Sequence, residues 1–327
     1  MSVPLVEIVR SGFVEGQHHG SVVALDPDGS VAWAAGDVTA PILPRSANKP
    51  LQALGMLGLG LELAPELLAL ACSSHSAEQI HLDGVRRILA EAGLAEMALG
   101  NVPDYPLAPD VKDAWIRAGG EPTKLAQCCS GKHAAMLATC VARDWQLSGY
   151  FESDHPLQLG IQRRFEAVTG EPAQVAVDGC GAPVLSASLV GLARGYQLLA
   201  TATDGDAWRV AEAIRQHPEM VSGTTRDEYR LLRAIPGAIG KFGAEAVYVV
   251  ALPDGRVVAL KIDDGSDRAR PVVMAAALAR LGIEDEEVAA TGRHALYGGG
   301  VVVGELRACL DGLLDADEDL ATTPATS

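Results

Sequence analysis

The sequence is poor in aromatic residues and in basic residues. Phe, Tyr and Trp make up 4% of the 327 residues, so the core must be built mainly from aliphatic side chains. Asp and Glu number 42 against 26 Lys and Arg, which gives a formal net charge of −16. Because nucleic-acid binding depends on clustered basic side chains that neutralise phosphates, this charge balance predicts that nucleic acid is not a partner.

Long apolar runs and abundant cysteine are also missing. No uncharged apolar stretch approaches the roughly 18 residues that a membrane helix needs, and the N-terminal MSVPLVEIVRSG lacks the pattern of a secretion signal. These absences predict a cytoplasmic protein without a membrane partner. Six cysteines are too few for a disulfide scaffold in a chain of this length, so we expect reduced thiols that are available for metal binding or catalysis.

Strand patterns lie near both ends of the chain. Residues 21–25 and 30–34 flank the turn Asp26-Pro-Asp-Gly29, and residues 246–252 and 256–262 flank Pro253-Asp-Gly255. Helical patterns fill the middle, and they cover residues 76–89, 133–145, 156–168, 183–199 and 207–214. Ser76-Ala-Glu-Gln79 predicts a capping box that opens the first of these helices. Because the strands of the two ends must pair with each other, we predict an α+β fold: an antiparallel sheet built from N- and C-terminal strands and flanked by helices.

The patterns also suggest a domain organisation. No Ser- or Pro-rich linker interrupts the chain, so we predict a single catalytic domain over residues 1–313, within which the helical segment at about 75–235 can form a subdomain. Residues 314–327 are acidic and non-periodic, and we predict a disordered tail there.

One short stretch, Pro44-Arg-Ser-Ala-Asn-Lys-Pro50, combines a serine and a lysine at a helix start. Proline fits the first turn of a helix, so a helix should begin near Asn48 and place Ser46 and Lys49 around its N-terminus. The helix dipole and burial both disfavour a charged ammonium there, and a neutral amine can accept a proton from a serine hydroxyl. The S-x-x-K spacing alone is weak, because a helix cap with a solvated lysine explains it as well.

Three further clusters concentrate polar and reactive side chains between apolar segments. They are Cys72-Ser-Ser-His-Ser-Ala-Glu78, Cys128-Cys-Ser-Gly-Lys-His133 and Asp178-Gly-Cys-Gly-Ala-Pro183. Catalytic residues often lie on short loops that a rigid scaffold positions. Without further evidence, the sequence favours Cys129 and Cys180 as small buried hydrophobic residues.

With these stretches the sequence resembles the Ser/Lys-type, rhizobial-like (class 3) L-asparaginases, which are related in fold to serine-dependent glutaminases and β-lactamases. The stretches that carry the resemblance follow the family's order and span most of the chain: RSANKP at 45–50, CSSHSAE at 72–78, CCSGKH at 128–133, DGCGAP at 178–183, HPEMVSG at 217–223, GKFGAE at 240–245 and KIDDGS at 261–266. The fold expected from the resemblance is therefore β-lactamase- and glutaminase-like.

The resemblance implies two serine–lysine pairs in one pocket, Ser46 with Lys49 and Ser74 with Lys241. Either serine can serve as the nucleophile, and the sequence leaves this choice open. Three residues near these pairs are candidates for substrate binding: Arg45 for the α-carboxylate, Asp178 for the α-ammonium or for metal support, and His75, which fits a pocket contact or a turn cap equally well.

The resemblance also implies a zinc site beside the pocket, with Cys129, Lys132 and Cys180 as its ligands. Two thiolates and an amine suit zinc, which accepts sulfur and nitrogen in tetrahedral geometry. The lysine would have to bind in its neutral form. The family further implies a homodimer.

We therefore predict an L-asparaginase, an amidohydrolase that converts L-asparagine into L-aspartate and ammonia through a Ser/Lys-activated acyl-enzyme. A glutaminase remains open, because a pocket discriminates one methylene by only about 1–3 kcal/mol. A β-lactamase-like acyl enzyme would share S-x-x-K, but the S-D-N element is missing. A non-catalytic zinc-binding protein would explain the cysteines without using Lys49 or Lys241.

Overall fold

An antiparallel sheet forms the centre of the protein. The computed structural model describes residues 1–310 and the backbone of residues 314–315. The strands in this part of the chain are β1 (Val3–Arg10), β2 (Phe13–Leu25), β3 (Val31–Ala35), β4 (Val175–Val177), β5 (Pro183–Leu185), β6 (Ile239–Gly243), β7 (Val247–Ala251), β8 (Val257–Ile262), β9 (Ala295–Gly298), β10 (Val301–Ala308) and β11 (Leu314–Asp315).

The strand order confirms the predicted α+β fold. Nine strands form one sheet in the order β6-β7-β8-β2-β1-β10-β9, with β3 paired to β2 and β11 paired to β3, while β4 and β5 form a separate hairpin. Every pairing is antiparallel. Strands from the two ends of the chain meet at three places, where β1 pairs with β10, β2 pairs with β8 and β3 pairs with β11.

Helices fill the middle of the chain and the region after β8. They are α1 (Lys49–Gly58), α2 (Pro65–Ala71), α3 (Gln79–Glu91), α4 (Pro109–Arg117), α5 (Ser130–Ala142), α6 (Pro156–Thr169), α7 (Leu189–Thr201), α8 (Gly205–Gln216), α9 (Pro218–Ser222), α10 (Asp227–Ala234), α11 (Ala269–Arg280) and α12 (Glu286–Thr291), with 3₁₀ turns at Arg45–Asn48 and Glu96–Ala98. None of the helices in residues 1–310 is long and apolar enough to cross a membrane.

Some of the predicted helices and hairpins are confirmed, and others are wrong in part. Both hairpins and the helix that begins near Asn48 are confirmed. The predicted helix over 183–199 is wrong at its start, because Pro183–Leu185 pairs with β4 before α7 begins. The expected Ser76 capping box is also wrong: α3 has no side-chain cap, and the Ser76 hydroxyl donates to Ser222 O instead.

The core is aliphatic, as the composition required. Every residue of β7 is buried, and so is all of β8 except Lys261, because α7 and α11 pack against this part of the sheet. Strands that are covered on both faces typically have nearly continuous apolar sequences, and here these are mostly Val and Ala. Side chains of the helical middle belong to the same contiguous apolar core as those of the sheet. Of the predicted tail, residues 316–327 lie outside the described part, while residues 314–315 pair with Trp33 and Ala34.

The end of β6 lies directly against the turn that carries Ser46. A Cβ atom at Gly243 would lie 2.1 Å from Pro44 O and 3.2 Å from Ala47 N, so only glycine allows the two backbones to approach this closely. This contact fixes the strand that carries Lys241 beside the start of α1.

We expect Gly243→Ala to destabilise the protein by about 1–3 kcal/mol, because backbone on both sides of the contact has to move apart. The matched control is Gly58→Ala at the end of α1, where an added Cβ meets nothing within 4 Å. Denaturant unfolding of both variants measures the difference. Equal stability of the two variants would contradict the close approach.

Candidate active site

The Ser46 turn is strained and firmly held. Arg45 adopts a left-handed backbone conformation (φ 54°), which is uncommon for a residue other than glycine and persists only where the surroundings impose it. The Tyr196 hydroxyl donates to Ala47 O at 2.7 Å, and the Asn48 side-chain amide donates to Leu185 O at 2.7 Å. Ser46 itself is half-buried, and its hydroxyl has no hydrogen-bond partner among the described residues.

The buried amine of Lys49 is the meeting point of the site. Lys49 is 1% exposed, and its Nζ donates to Ser74 Oγ at 3.1 Å, to Cys129 Sγ at 3.3 Å and to Ser73 O. Lys49 also lies one helical turn after Ser46, the other candidate serine. The hydrogen-bonded pair is therefore Lys49 with Ser74, which differs from the expected pairing of Ser74 with Lys241.

Lys241 forms a buried ion pair on the other side of the site. Its Nζ lies 3.0 Å from both carboxylate oxygens of Glu228, and neither side chain is exposed to solvent. Within residues 1–310 it makes no hydrogen bond to Ser74. Burial lowers the pKa of Lys241 to about 8, although the Glu228 carboxylate acts to raise it. The Glu228 carboxylate also accepts the Phe242 N–H at 2.8 Å, which fixes it against β6.

The loop that carries Ser74 is held from both sides. The Ser74 N–H donates to Val221 O at 3.0 Å, and the Ser76 hydroxyl donates to Ser222 O at 2.5 Å. On the opposite side, the His75 N–H donates to Cys128 O at 3.2 Å. These contacts fix the position of the Ser74 hydroxyl relative to Lys49.

His75 supports this loop from within. It is fully buried, its Nδ1 accepts the Ala77 N–H at 3.1 Å, and its Nε2 lies 2.8 Å from Ser130 Oγ. Burial lowers the pKa of His75 well below its usual value, and the neighbouring His81 adds to this effect, so the ring is neutral. Both ring nitrogens are engaged by the protein. The geometry therefore corrects the expectation of a substrate contact and favours the turn-capping alternative.

Arg45 and Asp178 lie together, as expected for two residues of one pocket. The Arg45 Nε donates to Asp178 Oδ1 at 2.7 Å, and the Gly179 N–H donates to the same oxygen at 2.9 Å. Asp178 is 8% exposed, and the tight turn that begins there is closed by the Gly181 N–H, which donates to Asp178 O. This pair joins the Ser46 turn to the loop that carries Cys180.

The three proposed metal ligands also converge. Lys132 Nζ lies 3.4 Å from Cys180 Sγ, close to the roughly 3.6 Å that separates nitrogen and sulfur ligands on a tetrahedral zinc. Hydrogen bonds from the Cys128 and Cys180 thiols lower the pKa of Cys129 well below its usual value. No group of three or more His, Cys, Asp or Glu side chains in the described residues could hold a metal. A zinc site here would therefore require the Lys132 amine as a ligand. The two thiolates of Cys129 and Cys180 and this amine are donors that fit zinc.

Two charged residues of the site were missed by the sequence analysis. Arg226 donates from Nη1 to Ser74 O at 3.0 Å, and Glu228 neutralises Lys241. Both lie in Thr224-Thr-Arg-Asp-Glu228, between the matching stretches at 217–223 and 240–245. The available signal was a run of three charged residues beside a reactive motif.

The comparisons with known proteins identify the family of the chain. The sequence matches the L-asparaginase II family over residues 6–308, which is nearly the whole chain. The protein therefore belongs to the L-asparaginase II family and is an amidohydrolase that acts on a small-molecule substrate. No curated protein matches the sequence.

Several solved structures share distant similarity with the chain. A proposed β-lactamase from Bacteroides dorei is 16% identical, with 80% of this chain and 93% of that chain covered and a TM-score of 0.45. A β-lactamase from Mycobacterium bovis is 12% identical, with 80% and 94% covered and a TM-score of 0.38. EstCE1, a hydrolase with promiscuous acyltransferase activity, is 13% identical, with 83% and 91% covered and a TM-score of 0.37.

We expect Glu228→Gln to destabilise the protein by about 3–5 kcal/mol, because it leaves the buried Lys241 ammonium without its counter-ion. The pKa of Lys241 should also fall below about 8, since Glu228 acts to raise it. Denaturant unfolding measures the first effect. The control is Glu286→Gln, which breaks an exposed pair with Arg293 and should change stability little; equal effects of the two substitutions would contradict the buried pair.

Proposed function

We propose that this amidohydrolase converts L-asparagine into L-aspartate and ammonia, with Ser46 as the nucleophile and Lys49 as its base. The observation that carries the proposal is the position of the Lys49 amine, which is buried one helical turn after Ser46 and 3.1 Å from Ser74 Oγ. A buried amine that contacts one candidate serine and follows the other by one helical turn suits a serine acyl enzyme, because the attacking hydroxyl needs a neighbouring proton acceptor.

Ser46 is the better nucleophile of the two serines. Its hydroxyl is half-buried and has no hydrogen-bond partner in the described part of the chain, so it is available to a substrate. Ser74 is 2% exposed and is bonded to Lys49. This arrangement suits Ser74 for passing protons between Lys49 and the substrate.

In the acylation step, Ser46 Oγ attacks the side-chain amide carbon and its proton passes to Lys49. The tetrahedral intermediate carries an oxyanion, for which the Ser46 N–H is a suitable donor because it has no other acceptor in the described residues. When the intermediate collapses, the C–N bond breaks and the amide nitrogen takes the proton from Lys49 through Ser74. Ammonia leaves, and an ester to Ser46 remains.

In the deacylation step, water attacks the ester carbon and gives one proton to Lys49. The C–O bond to Ser46 then breaks, and the proton returns to Ser46 Oγ. L-Aspartate is released and the site is restored. The two steps thus use the same base, while the nucleophile changes from Ser46 to water and the leaving group from ammonia to Ser46.

We propose zinc as the cofactor, held by Cys129, Lys132 and Cys180. Zinc bound there would supply a rigid crosslink between the start of α5 and the turn at Asp178. Because Cys129 contacts Lys49 and Asp178 contacts Arg45, that crosslink would set the shape of the pocket. A serine nucleophile makes a metal-bound hydroxide unnecessary for the reaction.

The first test is ammonia release from L-asparagine and, separately, from L-glutamine. Ser46→Ala should lower kcat on the order of 10⁴-fold or more, and Ser74→Ala should lower it roughly 10²–10⁴-fold, because it removes a proton relay. The matched control is Ser153→Ala on the surface, which should retain full activity.

Other outcomes separate the alternatives. Release from glutamine alone would make the protein a glutaminase. Release that survives Ser46→Ala but not Ser74→Ala would exchange the roles of the serines. No release from either amide by folded, zinc-supplied protein would favour another acyl substrate or a non-catalytic zinc-binding protein.

We expect Cys180→Ser to lower the zinc content per chain and to raise KM for L-asparagine more than it lowers kcat, because the metal shapes the pocket. Atomic emission after dialysis measures the zinc, and Cys309→Ser, after β10, is the control. Complete loss of turnover with zinc retained would contradict a shaping role.

A further inference from the structure

Three basic side chains surround one aromatic ring at the edge of the site. The ring belongs to Phe242, which directly follows Lys241 on β6. The charged groups that lie over it are Arg226 at 4.0 Å from the ring centroid, Lys241 at 4.0 Å and Arg270 at 4.3 Å. Three positive charges held this close together repel one another unless acids neutralise them.

Two acids are available, and each is already used. Glu228 pairs with Lys241 at 3.0 Å, and Asp227 pairs with Arg270 at 3.0 Å. Arg226 has no acidic partner in the described part of the chain. The cluster therefore keeps one uncompensated positive charge, which belongs to Arg226.

Keeping the positive charge of Arg226 largely away from water is energetically unfavourable. Arg226 is only partly exposed, and its burial lowers its pKa below the usual arginine value. A guanidinium removed from water is normally paired with a carboxylate or phosphate. The described residues supply no such partner, so an anion bound from solution would complete the cluster.

The Arg226 guanidinium is also next to the proposed chemistry. Its Nη1 donates to Ser74 O at 3.0 Å, and the Ser74 hydroxyl accepts a hydrogen bond from Lys49. Its Nε and Nη2 have no hydrogen-bond acceptor within residues 1–310. Two free N–H groups on adjacent nitrogens match the two oxygens of a carboxylate.

We propose that Arg226 binds the α-carboxylate of the amino-acid amide and thereby selects substrates that carry one. This inference rests on the proposed function, because it concerns the substrate of the same site. Arg45, the residue expected for this contact from the sequence, is less suited to it because Asp178 already neutralises it at 2.7 Å. Within this pair, the Asp178 carboxylate is then the group available to the α-ammonium.

The test compares two ligands that differ only in this group. L-Asparagine carries the α-carboxylate, and 3-aminopropanamide is the same molecule without it. Calorimetric Kd values for both are measured on zinc-loaded Ser46→Ala protein, which cannot turn either over, with and without Arg226→Gln. We expect Arg226→Gln to weaken L-asparagine binding about 10- to 100-fold and 3-aminopropanamide binding less than about twofold.

Three control variants keep the result interpretable. Arg230 lies four residues further along, in α10, and is exposed, so Arg230→Gln should change neither Kd. Arg226→Lys keeps the charge but loses the two-pronged geometry, so it should weaken L-asparagine binding less than Arg226→Gln does. It replaces Arg226→Gln in the test if that variant fails to fold. Arg45→Gln tests the competing residue and should affect L-asparagine and 3-aminopropanamide to the same extent.

The remaining outcomes overturn the inference in distinguishable ways. Equal weakening of both ligands by Arg226→Gln would mean that Arg226 only holds the Ser74 loop. A carboxylate-selective loss in Arg45→Gln and none in Arg226→Gln would assign the contact to Arg45. No binding of L-asparagine to protein that retains Arg226 would overturn the proposed function, and this inference with it.

Discussion

The site depends on one buried amine. Lys49 Nζ contacts Ser73, Ser74 and Cys129, so it joins the first helix to the loop at 72–78 and to the start of α5. These segments are far apart in sequence, and a charged or polar lysine head inside the protein requires partners from all of them. The same contacts that satisfy the amine bring a candidate base to the Ser74 hydroxyl and place the Cys129 thiol beside it. Lys49 therefore contributes both to the packing of these segments and to the candidate chemistry.

The arrangement of charges explains why the second lysine behaves differently. Glu228 is fully buried, and a buried carboxylate needs a cation nearby. Lys241 supplies it, and its amine is then directed toward α10 rather than toward Ser74. The resemblance implies that both lysines belong to one pocket, but which serine each contacts depends on an acid that no motif contains. The same segment contributes Arg226, which connects the Ser74 loop to Phe242.

The sequence predicted the parts of the fold that depend on local pattern. Pro50 located the start of α1, and the turns at residues 26–29 and 253–255 located two hairpins, because each signal acts within a few residues. Errors arose where distant contacts override such signals. Ser76 looked like a helix cap and instead bonds to Ser222, and Pro183–Leu185 looked helical and instead pairs with β4. The direction of a lysine side chain or the partner of a histidine nitrogen is set entirely by tertiary packing, so His75 could not be assigned from sequence.

Backbone strain marks the same segments as the side-chain chemistry. Six non-glycine residues in the described chain adopt positive φ, and four of them are Arg45, Ala77, Glu245 and Ala246. Arg45 precedes Ser46, Ala77 ends the loop of Ser74, and the other two follow β6, which carries Lys241. Each such residue costs about 1–3 kcal/mol and persists only where surrounding contacts impose it. Here those contacts are the ones already described, including the close approach of Gly243 to Pro44 and the His75 ring that accepts the Ala77 N–H. Backbone strain and the incompletely paired charge of Arg226 thus concentrate in the segments that carry the candidate catalytic residues.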